Sequence, residues 1–131
     1  MSEAIEPTGW PRPSGYANGM LSQGRYLAVA GQIGWDESGR LVSDDFAAQT
    51  RQALRNVVAV LLAAGAQASH LVRLTWYVTD REEYRANLRA IGAAYRETIG
   101  AHFPAMTLVE VRGLLEPGAK VEIEATAVLP A

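Results

Sequence analysis

Cysteine is absent from all 131 residues. That excludes disulfides, a thiolate nucleophile and thiolate metal ligands, and leaves no reason to expect an oxidising compartment. Histidine is scarce. His70 and His102 stand far apart, with neither His-x-His nor His-x-x-x-His spacing, so no metal site is expected. Positive charge is not in excess either: 12 Lys and Arg against 14 Asp and Glu leave a net charge of -2. Without a basic patch to neutralise phosphates, no nucleic-acid partner is expected. The longest apolar run, Val57 to Ala66, falls far short of the roughly 20 residues that span a bilayer. Met1-Ser2-Glu3-Ala4-Ile5-Glu6 lacks the basic start and apolar core of a signal peptide. The expectation is a soluble, cytoplasmic protein with no membrane association, its residues 1–131 forming one domain. No serine sits in a nucleophile elbow, and Gly31-Gln32-Ile33-Gly34 is neither a dinucleotide fingerprint nor a P-loop.

What is present is strong periodicity. Residues 1–19 hold Pro7, Pro11, Pro13, Gly9, Gly15 and Gly19, a density of turn formers that reads as an extended N-terminal arm. Met20 to Ile33 is strand-like with a tight turn at Gln23-Gly24. Asp36-Glu37-Ser38-Gly39 is a second turn, after which Arg40-Leu41-Val42 pairs back. Phe46, Ala53, Val57, Val60, Leu61 and Ala64 recur at helical spacing after the capping candidates Asp44 and Asp45, with Gln49, Gln52, Arg55 and Asn56 off that stripe. Val72, Leu74, Trp76 and Val78 alternate as a strand. Asp80-Arg81-Glu82-Glu83 has the form of a capping box, and Tyr84, Leu88, Ile91, Tyr95 and Thr98 predict a second helix ending at Gly100. Two closing strands follow, Pro104 to Val111 and Val121 to Ala127.

Strands, helix, strand, helix, strands is the order of an α+β fold, two helices packed on one face of a mixed β-sheet. Two helices cover one side only. The other side is expected to carry Arg73, Thr75 and Tyr77, Met106, Leu108 and Glu110, and Glu122 and Glu124, a mixture too apolar for a fully wetted surface. Another copy of the chain is the economical cover, and shared clefts between subunits are where ligand sites form.

Several segments in order then carry a resemblance: Ser14-Gly15-Tyr16, Val29-Ala30-Gly31-Gln32-Ile33-Gly34, Gln49-Thr50-Arg51-Gln52-Ala53-Leu54-Arg55-Asn56, Leu62-Ala63-Ala64-Gly65-Ala66, Thr79-Asp80, Pro104-Ala105 and Val121-Glu122-Ile123-Glu124-Ala125. Together they resemble the Rid (reactive intermediate deaminase, YjgF) family over nearly the whole chain. The resemblance implies a homotrimer of chorismate-mutase-like architecture that binds a small-molecule ligand in intersubunit clefts. It also implies a chemistry that needs no cofactor, hydrolysis of enamines or imines to 2-keto acids and ammonia. By position, Glu122 is the implied catalytic group that handles water, and Tyr16, Ala30, Gly31, Asn87 and Met106 are the implied substrate-binding positions. Deaminating members carry an arginine where this chain has Met106, and many carry serine where it has Ala30. Two functional classes therefore stay open: a deaminase or related hydrolase of altered specificity or reduced activity, and a non-catalytic ligand-binding or regulatory trimer. Arg81, Arg85 and Arg89 read as a solvated helix flank diluted by Glu82 and Glu83 rather than as an RNA surface.

Overall fold

The computed structural model describes residues 2–131. Two short strands, β1 (Glu3–Ile5) and β2 (Gly19–Leu21), pair antiparallel. The main sheet contains β3 (Arg25–Gln32), β4 (Leu71–Val78), β5 (Ala105–Glu110) and β6 (Val121–Leu129) in the order β3-β6-β4-β5. β6 runs antiparallel to both neighbours, whereas β4 and β5 are parallel. A parallel pair needs a long crossover, and α2 (Arg81–Ala86) and α3 (Leu88–Thr98) supply it; α1 (Phe46–Ala63) connects β3 to β4. The class is α+β, as the periodicity implies.

The helix signals work locally. Asp45 accepts a hydrogen bond from the Ala48 amide at 2.9 Å, and the chain leaves α1 through Gly65 at φ 78°, a conformation only glycine adopts without strain. Asp80 accepts from the amides of Glu82 and Glu83 at 2.9 and 3.3 Å. The expected capping box is only half formed, because the Glu83 carboxylate turns to Lys120 at 3.5 Å. The single second helix of the sequence reading is in fact two. Its ladder breaks at Asn87 (φ -116°, ψ 18°), whose side-chain amide donates to the Glu83 carbonyl at 2.7 Å. Asparagine offers the backbone this alternative to the helix ladder.

The core lies between α1, α3 and one sheet face. Leu54, Val57, Leu61, Leu71, Leu74, Val78, Val121 and Ile123 are fully buried in it. So are Gln49 and Thr50, with 0 % exposure each, which corrects the placement of Gln49 outside the buried stripe. Gln49 is a clamp: Nε2 donates to the carbonyls of Ser43 and Gly118 at 2.9 and 3.0 Å, and Oε1 accepts from the Lys120 amide at 2.8 Å. One side chain thus ties the approach to β6 against the start of α1. Gly34 backs onto the same residue, and a Cβ there would meet the Gln49 Cα at 2.6 Å. Asn56 does similar work two turns later, donating to the carbonyls of Ile33 and Trp35 at 3.1 and 2.8 Å. Among the described residues no helix is long and apolar enough to cross a membrane.

Register decides which side chains share a face. Leu74 pairs with Met106 and Trp76 with Leu108, so Met106 and Leu108 lie on the helix side, packed against the core. The expectation that they share the uncovered face with Glu122 is therefore wrong. Alternation shows which residues of β5 go together; only the partner strand shows which way they point.

Candidate functional site

The chain presents two candidate sites on opposite faces of the sheet. The first is a cleft of about 380 Å³ at the β5 edge. Met106 and Leu108 of β5 and Trp76 of β4 form its floor, Tyr84, Leu88, Ile91, Gly92, Tyr95 and Arg96 its helical wall, and Ser14, Gly15, Tyr16 and Phe103 its mouth. Tyr16 is held there because the arm docks on β5: Ala17 bridges Ala105, and its amide donates to the Pro104 carbonyl at 3.0 Å. Tyr16 and Met106, distant in sequence, are so brought to one cleft.

Aromatic packing stiffens the walls. Tyr84 meets Trp76 and Phe46 edge to face, at centroid distances of 6.3 and 6.5 Å. Tyr95 stacks on Phe103 at 5.3 Å and donates its hydroxyl to the His102 carbonyl at 2.6 Å. Burial pushes both the Tyr84 and Tyr95 phenols above their ordinary range, so both remain neutral near pH 7. His102 is engaged structurally through Nε2, 2.7 Å from the Leu71 carbonyl, and Nδ1 of His70 accepts from the Gln67 amide at 3.0 Å. Asn87 does not line this cleft, since its amide is spent on the helix break.

The second candidate site lies on the face no helix covers. β3 and β6 pair in register up to Val29–Ala125 and resume at Gln32–Ile123, so Ala30 and Gly31 together oppose Glu124 in a bulge. The half-buried Glu122 folds over that bulge. A Cβ on Gly31 would stand 2.0 Å from its Oε2, so the missing side chain is what lets the carboxylate lie there. Ala30 is exposed beside it. Tyr77, opposite Glu122 in the ladder, donates its hydroxyl to Glu124 at 3.1 Å, and that bond raises the phenol pKa. Neither Lys120 nor Arg73 pairs with Glu122 among the described residues, Lys120 being engaged by Glu83.

Glu122, Gly31 and Ala30 are thus together, and Tyr16 and Met106 are together. The sheet separates the two groups. The sequence reading missed the aromatic and charged wall, because Tyr84, Leu88, Ile91 and Tyr95 have the spacing of a core stripe. The signal was a glycine, Gly92, in mid-helix, where a packed stripe has no use for one.

Comparison with known proteins is consistent across the chain. The family model described as Endoribonuclease L-PSP matches residues 11–129. The chain is 36% identical over 129 residues to the 2-iminobutanoate/2-iminopropanoate deaminase of Salmonella typhimurium, covering 98% of each chain. A Yersinia pestis protein of unknown function, from the conserved Rid family, superposes with TM-score 0.87 at 37% identity, again over 98% of each chain. The Escherichia coli protein TdcF, solved with bound serine, gives 0.71 at 28% identity over 97% of this chain and 98% of that one.

Proposed function

Because the chain belongs to the Rid/YjgF (endoribonuclease L-PSP) family, we propose that it is a cytoplasmic homotrimeric imine deaminase whose catalytic sites lie between subunits. The observation that carries this is the pair of partial sites on opposite faces of one sheet. Side chains so separated cannot meet around one ligand within a subunit, but they can when one copy's cleft faces a neighbour's Gly31–Glu122 bulge. A closed ring makes every such contact alike. The deaminating relative supports the reaction, and the serine bound to TdcF supports a ligand with an amino-acid backbone.

In the reaction, water adds to the carbon of the protonated imine while Glu122 takes a proton from that water; the C–O bond forms and the C=N π pair becomes the lone pair on nitrogen. Glu122 then gives its proton to that nitrogen. As the tetrahedral adduct collapses, the C–N bond breaks and ammonia leaves, while the adduct's hydroxyl proton returns to the Glu122 carboxylate and the C=O of the 2-keto acid forms. A positioned carboxylate suits these transfers. Tyr16 and the apolar floor hold the substrate, and the bulge at Ala30–Gly31 sets where the carboxylate points.

Two substitutions probe this arrangement. Gly31→Ala places a methyl where the Glu122 carboxylate lies. A flexible side-chain end can yield, so thermal stability should change little while turnover falls roughly a hundredfold, the scale of a misplacement of about 1 Å. Activity and melting temperature measured together check it; unchanged turnover would mean that Glu122 need not lie over Gly31. Met106→Arg introduces a guanidinium on the cleft floor. It is expected to raise kcat/KM for 2-iminopropanoate by roughly tenfold or more, the scale of one charge-assisted carboxylate contact. Keto-acid release from freshly generated imine is the assay, and a variant no better than wild type would deny Met106 a place at the substrate carboxylate.

A further inference from the structure

Building on the reading of the cleft as a substrate site, we propose that Arg96 is its carboxylate-binding group, and that the preferred ligands are 2-imino or 2-oxo carboxylates bearing a bulky apolar or aromatic side chain. Arg96 is the one charged residue lining the 380 Å³ cleft. Its guanidinium folds back along α3 across Gly92, with Nη1 3.8 Å from where a Cβ at that position would stand. Glycine in a helix interior costs about 1 kcal/mol relative to alanine, and Gly92 has no left-handed backbone to require it. Its place on the cleft wall leaves open the space into which Arg96 reaches.

The guanidinium is also uncommitted. Among the described residues no carboxylate lies within 4.0 Å of it, and the adjacent Glu97 is turned to Arg51 and Arg55 at 2.9 and 3.5 Å. A planar guanidinium at the rim of an apolar cleft is suited to a carboxylate, which it grips through two parallel hydrogen bonds. Trp76 lines the same cleft; it is 4% exposed, and its buried Nε1–H has no partner among the described residues.

The rest of the cleft sets the side chain. Tyr16, Tyr84, Tyr95, Phe103 and Met106 line a volume within the range of ligand pockets for sizeable organic molecules. A small imino acid leaves most of that apolar surface wet, whereas a phenyl or branched aliphatic group fills it.

The test is calorimetric titration of the full-length protein with 3-phenylpropanoate and its uncharged amide, on wild type, Arg96→Gln, Arg96→Lys and Glu122→Gln, alongside turnover of 2-imino-3-phenylpropanoate. Wild type and Glu122→Gln should bind the acid better than the amide. Arg96→Gln should lose roughly ten- to a hundredfold in acid affinity and with it the preference for acid, while Arg96→Lys recovers part. Equal acid affinity in wild type and Arg96→Gln, absence of acid binding by wild type, or no preference for acid over amide would each overturn the proposal. If the binding pattern holds and no protein hydrolyses the imine, the deaminase reading fails and this proposal stands. If wild type and Arg96→Gln hydrolyse it with equal KM, this proposal fails and the deaminase reading stands.

Discussion

Glu122→Ala is expected to lower kcat/KM for imine hydrolysis by roughly 10²–10⁴-fold, the usual contribution of one positioned general acid–base. The fold should be indifferent. Glu122 is half-buried, lies on the helix-free face and takes part in no ion pair among the described residues, so its removal leaves no buried partner unsatisfied. Melting temperature should therefore stay close to wild type while activity collapses. Glu122→Gln separates charge from shape: it keeps the side chain over Gly31 but cannot take a proton, and it should be as inactive as the alanine variant. The neighbouring Glu124 is the internal control. It has the same charge on the same face but is committed to the Tyr77 hydroxyl at 3.1 Å, so Glu124→Gln should keep turnover within a few-fold of wild type, about 1 kcal/mol or less in barrier. Full activity in Glu122→Gln would remove Glu122 from the mechanism.

Gln49→Leu is expected to cost roughly 3 kcal/mol or more of folding stability, though leucine matches the helix and the apolar surroundings. Three backbone groups depend on the amide: the carbonyls of Ser43 and Gly118 and the N–H of Lys120. Leaving a buried polar group unpaired costs about 1–3 kcal/mol each, partly recovered where the loop can relax toward water. Chemical denaturation would measure it, and a loss below about 0.5 kcal/mol, the range of an inconsequential surface change, would show that the clamp is redundant. Because Gln49 anchors the turn leading into β6, the damage should extend to the position of Glu122. Activity should therefore fall even at temperatures where the variant remains folded.

The elements were legible because their signals are local. Asp45, Asp80, Gly65 and Gly100 end helices by side-chain capping or left-handed backbone, and β4 and β6 alternate strictly enough to declare their buried faces. Gln49 was not legible. A glutamine beside an apolar stripe looks solvent-facing until the loop that needs its amide, 69 residues away, is in place. Asn87 was misread for a related reason, since nothing in a regular Tyr84–Leu88–Ile91–Tyr95 spacing announces that an asparagine will take the Glu83 carbonyl for itself. The site divides the same way. The family resemblance put Gly31 and Glu122 in one cleft, and the structure brings them within contact on the adjacent strands β3 and β6. Met106 was assigned to the wrong face because alternation is blind to register. That difference bears on the proposed function: with Met106 and Glu122 on one face, a single chain could hold both; with them on opposite faces, the proposed site draws them from two copies.

The most direct test of a site shared between subunits is complementation. Glu122→Ala leaves the cleft intact, whereas Gly92→Trp plugs the cleft and leaves the Glu122 face intact; a side chain at position 92 has only the Arg96 guanidinium nearby, at 3.8 Å. Each variant alone should be inactive. Unfolded together and refolded as mixed assemblies, they should regain activity at roughly a quarter of their sites, where an open cleft meets an intact Glu122 by random mixing in a closed ring. A mixture no more active than either parent would contradict the account.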